Sequence, residues 1–168
     1  MDSARATVVE PDHAERLWFL GTTATILVDG AQTGGRYGLF HGLFPFDAAP
    51  PLHSHPQDES FYVLAGEVSV WIGDLPERRT GPGGIAFAPA GTPHTFRVET
   101  EAAEMLVLST PAGIEDYVRA LGEPATRPGL APQGAPRNLE RIAEVERALN
   151  IVRHGPRPPA ATVPGAQD

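Results

Sequence analysis

The chain has 168 residues, 41% of them hydrophobic and 20% charged, which fits one globular domain with a sizeable core. Its 13 basic and 21 acidic side chains leave a net charge of −8, so the basic footprint of a nucleic-acid-binding protein is excluded. It contains no Cys and no Lys, which excludes disulfides, thiolate chemistry, Schiff-base lysines and lysine-dependent phosphate loops. Catalysis, if any, must come from His, carboxylates, hydroxyls or a bound cofactor. No stretch approaches the roughly 18 apolar residues of a membrane helix, and Met1–Arg5 lacks a charged-then-apolar secretory pattern. A cytoplasmic protein without a membrane partner is expected.

Eleven of the twelve aromatic residues precede position 100, so the core is built from the first two-thirds of the chain. Leu17–Leu20 and Ala24–Val28 are β-prone, the second ending at the turn pair Asp29-Gly30. Gly35–Phe46 reads as a longer strand. Phe61–Leu64 and Glu67–Ile72 flank Ala65-Gly66, a hairpin signal, and Ile85–Phe87, Thr95–Val98 and Met105–Leu108 follow at similar spacing. Many short strands with regular turns predict an all-β sandwich or barrel. Trp71 and Tyr62, read as outward residues, predict either an apolar patch suited to dimerisation or packing under the N-terminal strands or C-terminal helices.

Ser109-Thr110-Pro111 resembles a helix start, with Ile114, Tyr117, Val118 and Leu121 on one face before Gly122. Residues 1–122 are therefore expected to form a barrel with N-terminal strands and a capping helix. Residues 123–154 are expected to form a linker and a C-terminal helix packed on the barrel, capped by Asn138 with Leu139, Ile142, Val145 and Leu149 as its apolar stripe. Residues 155–168 contain four Pro and few large apolar groups, which predicts a disordered tail.

The segment His53-Ser54-His55-Pro56-Gln57-Asp58-Glu59 carries the chemistry. Two His at i and i+2 on extended backbone point to one face, so both imidazoles can reach a single point. A turn at Pro56–Asp58 can return the Glu59 carboxylate to that point, with Phe61 and Val63 inward beside it. His94, after the tight turn Pro89-Ala90-Gly91-Thr92-Pro93, is the fourth candidate. A His-x-His pair alone is common on surfaces; all four residues together predict binding of a divalent metal, with Fe, Ni, Co, Mn, Cu and Zn all compatible. Four ligands leave an open position on a metal that prefers five or six, as a catalytic site requires. The resulting centre carries one net positive charge and favours an anionic oxygen such as a phenolate or enolate. His13 and His154 read as incidental, and His41 faces outward by strand parity.

These residues resemble the cupin superfamily. Its first motif, G-x5-H-x-H-x3,4-E-x6-G, is matched by His53, His55, Glu59 and Gly66, and its second, G-x5-P-x-G-x2-H-x3-N, by Gly83, Pro89, Gly91 and His94. Asp47 stands where the first motif begins with Gly, and Val98 where the second ends with Asn. The resemblance implies a double-stranded β-helix (jelly-roll barrel) with C-terminal helices, a homodimer, and one divalent transition metal per subunit held by His53, His55, Glu59 and His94. More narrowly, Leu17–Gly21 and Ser109–Tyr117 are similar to bacterial single-cupin quercetin 2,3-dioxygenases. That similarity implies cleavage of a flavonol-like or other enolic aromatic substrate by O2 using Ni, Fe, Mn or Co, with Glu59 as catalytic base. Trp18, Phe40, Phe44, Phe61, Phe96 and Met105 are candidates for the substrate pocket, although strand parity does not separate pocket wall from core. The same ligands also suit a non-oxidative isomerase, cyclase or lyase, or a metal- or small-molecule-binding module without turnover.

Overall fold

The computed structural model describes residues 4–10 and 13–161. In chain order the elements are β1 (Glu15–Phe19), β2 (Thr22–Val28), α1 (Gly30–Thr33), β3 (Gly38–Pro45), β4 (His53–Ser54), β5 (Asp58–Ala65), β6 (Val68–Ile72), β7 (Arg78–Thr80), β8 (Ile85–Ala88), β9 (His94–Val98), β10 (Ala102–Thr110), α2 (Ile114–Leu121), β11 (Glu123–Pro124), α3 (Leu139–Ala148) and β12 (Val152–Arg153). The strands form two antiparallel sheets, ordered β11-β1-β2-β3-β10-β5-β8 and β12-β4-β9-β6-β7. From β4 to β10 the chain passes back and forth between them, which is the jelly-roll connectivity expected. No helix among the described residues is long and apolar enough to cross a membrane.

Strand alternation builds the interior. In β3, Gly38, Phe40, Gly42 and Phe44 are buried, and in β10 Ala103, Met105, Val107 and Ser109 are buried. In β5, Glu59, Phe61 and Val63 share the buried face, so the residue before the aromatic run is carried into the barrel by the same period. The two sheets meet through side chains from both, including Phe44 and Phe96, whose rings lie edge to face at 5.2 Å. His41 faces outward from β3 and binds Glu104 at 2.9 Å.

Four expectations are corrected. Ala65-Gly66 is no hairpin: β5 pairs with β10 and β8, whereas β6 pairs with β9 and β7. The turn is a corner at which the chain leaves one sheet for the other. Tyr62 and Trp71 consequently lie on different sheets and form no common patch; Arg97 covers Trp71, its guanidinium 5.4 Å from the ring centre. Helix α2 starts at Ile114 after Gly113, because β10 continues through Thr110.

The fourth correction concerns residues 155–161, which lie against the barrel. Arg157 pairs with Asp47 at 2.7 Å, the Ala161 amide donates to the same carboxylate at 2.7 Å, and Arg97 donates to the Pro159 carbonyl at 2.6 Å. Proline-rich backbone has few N–H groups, and these charged partners supply the anchors instead. Burial works to raise the Asp47 pKa, but the Ala161 amide and Arg157 outweigh it and hold the carboxyl below its ordinary value. Residues 162–168 lie outside the described residues. Asp47 has φ +60°, which accounts for Gly in the motif at that position and for the tolerance of Asp, one of the few residues that adopts the left-handed region readily.

Gly66 turns the corner at φ +75°, and a Cβ there would run into the Ala102 carbonyl oxygen and Ala103. Gly66→Ala should therefore destabilise the protein by about 1–3 kcal/mol, read as a lower urea midpoint with an unchanged slope.

Candidate metal centre

The four predicted ligands come from three adjacent segments. His53 in β4 is the direct cross-strand partner of His94 in β9, so their imidazoles lie side by side with ring centres 4.6 Å apart. His55 follows two residues after His53 on extended chain, and its carbonyl accepts from the Gly91 amide at 2.8 Å. The Ala90 amide donates to Asp58 at 2.7 Å. These two bonds fasten the turn that precedes His94 to the loop that carries His55 and leads into Glu59. The turn glycines and the ligands therefore form one unit.

One ligand atom from each of His53, His55, Glu59 and His94 lies within 4.8 Å of the others. Glu59 Oε2 accepts from His94 Nε2 at 2.9 Å and from His55 Nε2 at 3.1 Å. Two ligands bonded at about 2.1 Å to one ion and at right angles are about 3.0 Å apart, so the spacing suits a divalent transition metal. The tautomers suit it as well. His53 Nδ1 donates to the Pro51 carbonyl and His94 Nδ1 to the Thr92 carbonyl, both at 2.8 Å. Each bond fixes the proton on Nδ1 and aims Nε2 at the shared point. His55 Nδ1 is buried without a partner, so no carbonyl holds a proton there as Pro51 and Thr92 do for the other two rings.

Electrostatics supports the same reading. Burial raises the Glu59 pKa, but hydrogen bonds from His55 and His94 outweigh it and hold the carboxyl down at about 2. Burial and the neighbouring His94 push His53 down to about 4, leaving it neutral and able to ligate. His94 is also opposed by burial, yet its bond to Glu59 raises its pKa above the ordinary value. A proton on His94 Nε2 thus occupies the place that a cation would take.

The cluster opens on a cavity of about 460 Å³ lined by His53, His55 and Glu59 but not by His94, which lies behind them. A ligand in this space would therefore meet the cluster from the side of His53, His55 and Glu59. Of the predicted pocket residues, Phe40, Phe44, Phe61 and Phe96 line it. Met105 does not: it is wholly buried in the core, opposite Val63 in the β5–β10 pairing. Trp18 does not either, because Leu17 is the buried residue of β1 and Trp18 points to the other side, under the Arg127 guanidinium at 5.8 Å. Its neighbour Phe19 lines the cavity instead.

Several residues at the site have no motif to announce them. β12 pairs with β4, setting Arg153 opposite His53 and Val152 opposite Ser54. His154, read from sequence as incidental, approaches Ser54 Oγ at 2.8 Å, between the two histidine ligands in sequence. Tyr117 from α2, Glu146 from α3 and Arg153 complete one wall of the cavity. The available signal for Glu146 was its place four residues after Ile142, on the buried side of an amphipathic helix.

With this geometry in view, the class is a β-barrel with a buried His/Glu site. Residues 42–111 match the family described as cupin domain. The chain is 27% identical over 124 residues to quercetin 2,3-dioxygenase of Bacillus subtilis, covering 73% of this chain and 36% of that protein. It is 41% identical over 58 residues to dimethylsulfoniopropionate lyase DddQ of Ruegeria pomeroyi, covering 34% of this chain and 29% of that protein. These matches span only about a third of the relatives' own lengths. An RmlC-like cupin from Shewanella frigidimarina superposes with a TM-score of 0.59 at 19% identity, over 70% of this chain and all of that one, a likeness of fold alone. The match to the cupin domain thus covers residues 42–111, the stretch that carries all four candidate ligands.

The purified protein should hold about one divalent transition ion per chain, and His53→Ala or His94→Ala should each abolish that loading while the far-ultraviolet circular dichroism stays that of the barrel. Loading should also fall as pH is lowered. His94, with its raised pKa, takes a proton on the ligating nitrogen before His53, whose pKa lies at about 4. Elemental analysis after gel filtration at a series of pH values checks both outcomes.

Proposed function

We propose that the protein is a metal-dependent cupin dioxygenase that cleaves a flavonol-like or other enolic aromatic substrate with O2. The observation that carries this reading is the buried three-histidine, one-glutamate cluster opening on an aromatic-walled cavity large enough for a small organic ligand. The similarity to the Bacillus subtilis quercetin 2,3-dioxygenase over most of the chain supports the choice of chemistry.

Three parts of the chain have separate tasks. Phe40, Phe44, Phe61 and Phe96 form an apolar wall that grips an aromatic ring system and keeps water from it. His53, His55, Glu59 and His94 would hold the ion, which supplies Lewis acidity toward an enol oxygen. Glu59 alone among them is a carboxylate, and it lines the cavity, so it is placed to accept the proton that the enol hydroxyl loses. Without an ion, the His55 and His94 Nε2 atoms that face Glu59 keep it ionised; with an ion held by those nitrogens, the ion itself would do so.

A second reading, a non-oxidative lyase using the same four ligands, is favoured by the 41% identical segment shared with the dimethylsulfoniopropionate lyase. Oxygen separates the two. Protein loaded with Ni, Co, Mn or Fe should consume O2 when given quercetin and stop under nitrogen. Glu59→Gln should lower that rate by about 10²–10⁴-fold while leaving the thermal midpoint of the fold nearly unchanged. No oxygen uptake with any of the four metals excludes the flavonol, and turnover of a substrate under nitrogen selects the lyase reading.

A further inference from the structure

The helical wall of the cavity carries a hydrogen-bonded triad that the metal site does not use. Glu146 in α3 is buried, 9% exposed, and accepts from the Tyr117 hydroxyl at 3.0 Å. Arg153 clamps the same carboxylate with two bonds of 2.8 Å, from Nε and Nη2. Tyr117, Glu146 and Arg153 all line the space that also exposes His53, Glu59 and Phe61.

The direction of these bonds determines what the wall offers. The Tyr117 hydroxyl has one hydrogen, and Glu146 takes it, so the oxygen lone pairs are what remain for a ligand. Arg153 gives two of its five N–H groups to Glu146 and offsets the charge of that carboxylate. The Tyr117 phenol is kept protonated, because burial and the adjacent carboxylate both raise its pKa. The wall therefore presents the Tyr117 oxygen as an acceptor beside a charge-paired carboxylate. It suits a hydroxyl donor and gives nothing to a bare C–H edge.

We propose that Tyr117, held by Glu146 and Arg153, is a specificity-determining contact that accepts a hydrogen bond from a phenolic hydroxyl of the substrate other than the enol presented to the metal site. The preferred ligands are then polyhydroxylated aromatics rather than bare enols. This inference rests on reading the cavity as a site for flavonol-like molecules. The joining of α2, α3 and β12 through one carboxylate makes the contact a product of the C-terminal third of the chain, outside the matched cupin region.

Binding to nickel-loaded full-length protein under nitrogen tests it without turnover, by fluorescence quenching with two probes. Quercetin carries several phenolic hydroxyls besides its enol; 3-hydroxyflavone carries the enol alone. The wild type should bind quercetin more tightly. Tyr117→Phe should weaken quercetin by about three- to tenfold and leave 3-hydroxyflavone within about twofold, a selective loss that a merely structural role would not produce. Glu146→Gln, which keeps the shape and removes the charge, should narrow the preference in the same direction. Equal weakening of both probes, or an unchanged ratio in Tyr117→Phe, overturns the contact while leaving the flavonol reading intact. Failure of the wild type to bind either probe overturns the flavonol reading and this inference with it.

Discussion

Three imidazoles and one carboxylate aimed at a single buried point form an arrangement that the protein must impose. Taking the Glu59 charge out of water costs several kcal/mol unless it is paired, and ring nitrogens that face one another repel when both present lone pairs. The metal-free protein answers with protons from His55 and His94 on Glu59 Oε2. A divalent ion would satisfy the same groups by meeting one lone pair from each. The Pro51 and Thr92 carbonyls hold the rings in that pose from behind, so the site is set before any ion arrives.

The rest of the fold can be understood as support for that point. β4 is only two residues long, too short to be held by its own ladder, and it is gripped by β9 on one side and β12 on the other. The Leu52 carbonyl accepts from the His154 amide at 2.8 Å, which extends this clamp to the residue before the first ligand. The last described residues then cross to Asp47 and Arg97, tying the strap back to the barrel. The C-terminal third thereby supplies both a brace for His53 and one wall of the cavity. The candidate metal site and the cavity wall are mechanically one structure.

Much of the barrel and all four candidate ligands were legible in the sequence, for reasons that are local. A His-x-His pair on extended chain shares a face, Glu59 and Phe61 share a face, and turn glycines mark the corners. What was not legible depends on partners far along the chain. Ala65-Gly66 has the composition of a hairpin, and only the sheet to which each flanking strand pairs shows that it is a corner. Trp18 and Phe19 are adjacent and both apolar, and the choice between them is set by Leu17 facing inward. Met105 and Phe61 both lie on buried faces, and only their height in the barrel separates core from cavity wall. His154 read as incidental and Arg153 carried no signal, because their partners, Ser54 and Glu146, belong to other elements.

X-ray absorption at the edge of the bound metal examines the convergence itself, since the fine structure counts the nearest atoms and recognises imidazole rings. The account predicts about three imidazole nitrogens and one carboxylate oxygen at roughly 2.0–2.2 Å, with at least one further oxygen from solvent that a ligand can replace. A metal surrounded by fewer than two imidazoles, or by protein ligands that leave no exchangeable oxygen, would contradict it.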